Sequence, residues 1–280
     1  MDFKKFSNLI MIEQTLFALP FALIGLVFAG GTGWETWLWT VVALTAARTA
    51  GMSFNRVIDA EIDAENPRTR DRLVPRGEVK KSTVWILAAA ASLVLIGSSF
   101  MLNRLCFYLS FAAVTLLFTY SYFKRFSSSS HFYLGFVEAA APVGGYLAVT
   151  GAFALLPFVL GAAIMLWIAG LDIVYALQDV DFDAGKGLHS LPVRLGKKWS
   201  LAASTLCYVL ALGAMAAAGL MAGMKIPYWI AVGCVAVIFT YQQVLSREED
   251  ILAAMKKFFR ANMLISPLLL AGAFVSVYLW

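Results

Sequence analysis

The chain alternates long apolar stretches with short polar connections. The stretches run roughly over 10–30, 34–58, 84–101, 104–122, 132–152, 155–180, 199–222, 226–245 and 259–279. Each is about as long as a helix needs to cross a bilayer. A helix satisfies its backbone polar groups internally, as lipid demands, so the predicted fold is all-α and polytopic, with nine transmembrane helices. The longest connections are 59–83, 181–198 and 246–258. No water-soluble segment is inserted and no low-complexity linker appears, so residues 1–280 are expected to form a single integral-membrane domain.

Polar residues inside and at the ends of these stretches change the picture from a membrane protein to a chemical one. The second stretch carries Arg48, Asn55, Asp59 and Asp63, which fall on one helix face with modest drift. The sixth carries Asp172, Tyr175, Asp179 and Asp183 in a similar arrangement. Carboxylates at i and i+4 lie about one turn apart, close enough to hold one hard cation through oxygen. Magnesium held by one or two carboxylates keeps coordination positions for phosphate oxygens. Two such clusters point to a magnesium-diphosphate site serving a lipid substrate.

Composition supports the membrane setting: 61% of residues are hydrophobic and 14% charged, far from the balance of a soluble domain. Mean hydropathy is +0.77. The N-terminus lacks the small-residue cleavage site of a signal peptide, and its apolar stretch is too long for one. The net charge of +5 is a topology signal. With nine spans, 19 of the 22 lysines and arginines fall on one side, Arg104 and Lys225 on the other, and Arg48 within a span. The excess of positive charge places the basic side in the cytoplasm, together with the N-terminus and both acidic clusters, and puts the C-terminus opposite. The clusters are thus expected to face each other across one cavity mouth. The expected location is a bacterial-type inner membrane. No aromatic-interleaved basic patch suggests a nucleic-acid partner, and no obligate protein partner is evident.

Other residues complete the candidate site. Arg68, Arg72, Lys124, Arg125, Lys186 and Arg194 lie in the same loops, where they serve a diphosphate, lipid headgroups or topology alone. Arg48 sits about 10 Å deeper than Asn55 by helical rise. A charge at that depth faces a cavity or a partner, either an acceptor carboxylate or a structural ion pair with Glu13 or Glu138. Those two glutamates are alternatively proton acceptors on the acceptor side, where Asp172 is also placed. Asp179 and Asp183 read as solvated helix-end charges if they are not ligands. Cys106, Cys207 and Cys234 have no metal or redox spacing, and His131 and His189 stand far apart, which argues against zinc.

These motifs match a known family. Asn55-x3-Asp59-x3-Asp63, with the run from Asn66 through Arg72 to Gly77, resembles the first signature of the UbiA superfamily of intramembrane prenyltransferases. Tyr175, Gln178, Asp179, Asp183, Gly187, Ser190, Pro192 and Gly196 resemble its second, and the stretch from Tyr120 through Lys124 and Arg125 a third. The resemblance covers nearly the whole chain and is nearest to 4-hydroxybenzoate polyprenyltransferases. Within them, the segments around Arg48 and from Gly135 to Gly151 resemble the branch assigned to futalosine-pathway menaquinone synthesis. The resemblance implies nine helices around a central cavity open laterally to lipid, with two magnesium ions. One departure is Arg56, where many members have Asp. Magnesium ligation then rests on Asn55, Asp59, Asp63, Asp179 and Asp183.

The activity expected is magnesium-dependent transfer of a polyprenyl group from polyprenyl diphosphate to an aromatic hydroxy acid, 4-hydroxybenzoate or a related hydroxynaphthoate, in quinone biosynthesis. Arg68, Arg72, Lys124, Arg125, Tyr175 and Lys186 attend the diphosphate, and the tail rests against membrane lipid. Rival readings are prenyl transfer to haem or chlorophyllide, a secondary transporter using Arg48 and Asp172 as an ion pathway, and a structural membrane protein.

Overall fold

The computed structural model describes residues 3–248 and 250–280, and all regular structure among them is helical. In chain order the helices are α1 (Phe3–Ile10), α2 (Ile12–Phe28), α3 (Trp34–Ile58), α4 (Ala60–Glu65), α5 (Lys81–Leu102), α6 (Arg104–Phe123), α7 (Ser130–Thr150), α8 (Leu155–Ala176), α9 (Val180–Gly185), α10 (Leu191–Met221), α11 (Ile226–Leu245), α12 (Ile251–Asn262) and α13 (Ile265–Tyr278). A short 3₁₀ turn, Leu177–Asp179, joins α8 to α9.

A helix occupies each of the nine predicted segments, but they are not alike. Among the described residues, seven helical stretches are both long and apolar enough to cross a membrane. The first predicted span is a 17-residue helix containing Pro20. The second, α3, has 25 residues, but Glu35, Arg48, Asn55 and Arg56 dilute its apolarity. The ninth is broken between α12 and α13 at Met263 and Leu264. The seventh starts earlier than expected, at Leu191, and carries a kink at Gly196 (φ 74°, ψ 169°), a conformation open to glycine. These helices make the chain an integral membrane protein.

The chain divides into two compact units. One comprises residues 1–19 and 32–122, the other 20–31 and 123–280.

In the first unit, α3 packs along α5 through Ala50, Phe54, Ala88 and Ala91. Gly51 gives Leu117 of α6 its room, since a Cβ there would stand 2.9 Å from that side chain. A second apolar cluster of Leu9, Val57, Ala60, Val74, Val79 and Val84 lies under the loop that returns from α4 to α5. That loop is itself tightly bonded. Asn66 accepts from the amides of Thr69 and Arg70 through its carbonyl and from Arg68 N through its side chain, and Val79 N donates to Leu73 O at 3.2 Å.

In the second unit, small residues bring helices into close contact, as is usual where lipid removes the hydrophobic drive between spans. A Cβ on Gly145 of α7 would stand 1.9 Å from Ala22 O of α2, and one on Gly25 1.9 Å from Pro142 O. Gly135 of α7 meets Met165 O of α8, and Gly170 of α8 meets the Tyr208 ring of α10 in the same way. The centre holds the fully buried Trp167. Its ring meets Phe21 edge-on at 5.2 Å, and its indole N–H donates to Asn262 Oδ1 at 3.1 Å. Gln242 Nε2 donates to the same oxygen and to Phe258 O, tying α8, α11 and α12 by polar bonds worth about 0.6 kcal/mol each in a bilayer.

Candidate active site

The first acidic cluster forms where α3 stops and α4 begins. The helical bonding nevertheless runs through the join: Asp59 N donates to Asn55 O at 3.0 Å, and Asp63 N to Asp59 O at 2.8 Å. The i, i+4 register expected for Asn55, Asp59 and Asp63 is therefore kept. Asn55 Nδ2 also donates to Asp59 Oδ2 at 2.8 Å. Asp59 and Asp63 are 3% and 5% exposed, so they are not solvated helix-end charges. A buried carboxylate needs compensation, and Arg72 supplies part of it. Its Nη1 lies 2.6 Å from Asp63 Oδ2. Thr69 Oγ1 donates to Asp63 O, so the returning loop holds the peptide of Asp63 as well as its side chain. Arg68 is placed beside it but exposed.

Arg56 does not join the carboxylates' helix face. It is 5% exposed and donates from Nε to Leu9 O at 3.3 Å. Leu9 lies in the last turn of α1, where a cation meets the carbonyl end of the helix dipole. Asn8, Leu9, Arg56, Asp71, Arg72 and Leu73 line a cavity of about 140 Å³ there. Arg56 thus secures α1 at the foot of α3, a role that spacing alone does not reveal. Arg48 is half-buried within α3, and Glu13 is exposed in the first turn of α2.

In the second unit, the 3₁₀ turn at Leu177–Asp179 interrupts the face predicted for Asp172, Tyr175, Asp179 and Asp183, because three residues per turn shift the register. Asp179 then stands at the head of α9, and Asp183 is buried within it. Tyr175 is half-buried against Phe259, ring centroids 5.3 Å apart. The chain after Asp183 turns back on it, with Leu188 N donating to Asp183 O at 2.9 Å and His189 N donating to Lys124 O at 2.8 Å. Two adjacent residues thus bridge the peptide groups of Asp183 and Lys124, which were assigned to metal and diphosphate from sequence. Lys124 is half-buried; Arg125 and Lys186 are exposed. Glu138 is half-buried on α7. Asp172 accepts from His131 Nδ1 at 2.7 Å. His131 was missed from sequence, although its depth at the start of α7 matches that of Asp172 near the end of α8.

Among the described residues, no three His, Cys, Asp or Glu side chains converge as a metal cage. Each cluster instead offers two carboxylates, an incomplete set of hard oxygen donors. That composition fits a magnesium ion sharing its coordination with phosphate oxygens.

The profile of the UbiA prenyltransferase family matches residues 18–265, a span that runs through both units and both acidic clusters. The chain belongs to the UbiA prenyltransferase family. A 4-hydroxybenzoate octaprenyltransferase of Cupriavidus metallidurans is 30% identical over 99% of this chain and 92% of its own length. One from Pectobacterium atrosepticum is 30% identical over 88% of this chain and 85% of its own. Among solved structures, the apo form of a UbiA homolog from Aeropyrum pernix K1 superposes with a TM-score of 0.87 at 32% identity, covering 94% of this chain and 98% of that one. A UbiA homolog from Archaeoglobus fulgidus bound to GPP and Mg2+ shares the fold, with a TM-score of 0.73 at 18% identity, over 98% of this chain and 99% of that one. The UbiA assignment makes the chain a prenyltransferase-type enzyme and displaces the transporter and scaffold readings.

Proposed function

We propose that this UbiA member transfers a polyprenyl group from polyprenyl diphosphate to a small aromatic hydroxy acid, 4-hydroxybenzoate or a related hydroxynaphthoate, in a magnesium-dependent reaction of quinone biosynthesis. The observation that carries the reading is the pair of buried carboxylates Asp59 and Asp63, with half-buried Asn55 bonded to the first and Arg72 to the second. Buried carboxylates at this spacing, short of a closed cage, suit a cation that arrives with a diphosphate. The names of the curated relatives favour a benzoate-type acceptor over haem or chlorophyllide. We place the reaction at the cytoplasmic face of a bacterial-type inner membrane.

In this reading, Asn55, Asp59 and Asp63 of the first unit would be magnesium ligands, and so would Asp179 and Asp183 of the second. Bound there, the ion supplies Lewis-acid stabilisation of the leaving diphosphate. Arg68, Arg72, Lys124, Arg125, Tyr175 and Lys186 add donors and positive charge where leaving-group charge grows. The allylic C–O bond breaks with its electron pair departing on the diphosphate. The ring carbon ortho to the acceptor hydroxyl attacks the allylic carbon, and that carbon's ring proton leaves. Arg48 holds the acceptor carboxylate. Glu13, Glu138 and Asp172 are the remaining acceptor-side groups, and a glutamate takes the proton. The prenyl tail stays in lipid-facing apolar surroundings.

The test is a membrane-fraction assay with magnesium and a radiolabelled polyprenyl diphosphate, offering 4-hydroxybenzoate and 1,4-dihydroxy-6-naphthoate in parallel. A prenylated product with one acid names the acceptor. Full transfer after chelation of divalent ions would overturn the magnesium role. No transfer to either acid by folded protein would overturn the acceptor class.

A further inference from the structure

His131 is 2% exposed and stands between three elements of the second unit. Its Nδ1 lies 2.7 Å from Asp172 Oδ2 of α8, and its Nε2 is reached at 3.2 Å by the backbone N–H of Leu191. A backbone N–H can only donate, so Nε2 is the acceptor and the ring proton sits on Nδ1, directed at the carboxylate. The bond to Leu191 satisfies one of the orphan amides at the start of α10, beside the one that Ser190 caps through Val193 N.

Two further contacts among the described residues join the same two segments as this one. Lys124 O accepts from His189 N at 2.8 Å, Ser128 Oγ accepts from Arg194 Nη1 at 3.3 Å, and His131 Nε2 accepts from Leu191 N. The first segment, 124–131, is bracketed by the stacked rings of Phe123 and Tyr133, 4.1 Å apart. The second, 188–194, begins with Leu188 N on Asp183 O. Of the three contacts, that of His131 is fixed from inside the helix pair, through Asp172. A carboxylate within a span needs such a reason to be there.

We infer that His131, locked in one tautomer by Asp172, is a positioning residue that holds the 188–194 segment against 124–131 and so sets Lys124 relative to Asp183. The inference rests on the reading of Lys124 and Asp183 as diphosphate-side groups. It reassigns Asp172 from the acceptor to this support. Partners that orient metal ligands from behind typically carry 10- to 100-fold of affinity or activity.

Three variants separate the arms. His131→Gln keeps a donor for Asp172 and an acceptor for Leu191. His131→Asn reaches Asp172 but falls short of Leu191, and His131→Leu has neither. Each is purified in detergent, its melting temperature taken, and KM for polyprenyl diphosphate, KM for the acceptor acid and half-saturating magnesium measured. The expected result is a rise of about tenfold or more in KM for the diphosphate and in half-saturating magnesium for the Asn and Leu variants. Acceptor KM stays level, and the Gln variant recovers most of the loss. If the Leu variant does not fold, the Asn and Gln pair decides the question alone. An active wild type with Asn and Gln variants of equal diphosphate KM overturns the inference alone, as does a rise confined to acceptor KM, which returns Asp172 to the acceptor. A folded wild type without prenyl transfer overturns the functional reading and this inference together.

Discussion

Asp63 has its side chain on Arg72 and its peptide oxygen on Thr69, while Asp59 takes the amide of Asn55. These bonds pre-set the carboxylates. Asp59→Ala and Asp179→Ala are each expected to lower turnover at least about 100-fold, the scale of losing one electrostatic stabiliser, with melting temperatures near wild type. Turnover and magnesium titration in detergent check this, and full activity in both would sink the metal role. Arg48 makes a separate demand. If it holds a carboxylate, Arg48→Ala raises acceptor KM while diphosphate KM stays level, and an unchanged acceptor KM with unchanged kcat removes it from that role. Asp59, Asp63 and the basic loop were legible in sequence because charge at the end of an apolar helix has few structural uses. Arg56 and His131 were not, because their partners are the backbone groups of Leu9 and Leu191, and every residue carries those.

At the scale of elements, glycine placement decides how closely α7 packs. Gly145 and Gly144 are neighbours on the same helix, yet only the first faces a backbone oxygen: its Cβ would sit 1.9 Å from Ala22 O, while nothing lies within 4 Å of the second. Gly145→Ala is therefore expected to cost about 1–3 kcal/mol by overpacking. Gly144→Ala should be neutral or slightly stabilising, since an interior helical glycine is about 0.5–1 kcal/mol worse than alanine. Thermal denaturation of both variants in one detergent distinguishes them, and equal melting temperatures would contradict the packing. Periodicity located most of these helices to within a few residues, but it set the start of α10 eight residues late and did not find the break between α12 and α13 or the 3₁₀ turn before α9. Such interruptions are allowed where local bonding re-satisfies the backbone, and composition carries no mark of it.

Across the whole molecule, the charge asymmetry predicts orientation. Cys106 and Cys207 are buried and Cys234 is exposed, so a Cys234→Ser background leaves two shielded thiols. On it, Lys225→Cys is expected to react with an impermeant maleimide added outside intact cells, and Ser128→Cys only after the membrane is opened. The reverse pattern would invert the topology. The two compact units each carry one acidic cluster, and the family match spans both.

Hydropathy alone determined that this is an all-helical membrane protein, because lipid leaves a backbone almost no other way to satisfy its amides. The spacing of Asn55, Asp59 and Asp63 determined a shared helix face, because helical periodicity is a local property. Tertiary structure decided which contacts support each cluster: Arg72 on Asp63 and Arg56 on the end of α1 in one unit, and His131 between Asp172 and Leu191 in the other. The first spans nine residues and the others more than forty. They depend on which loops fold back and how closely the helices pack, and neither is written in the period of any one segment.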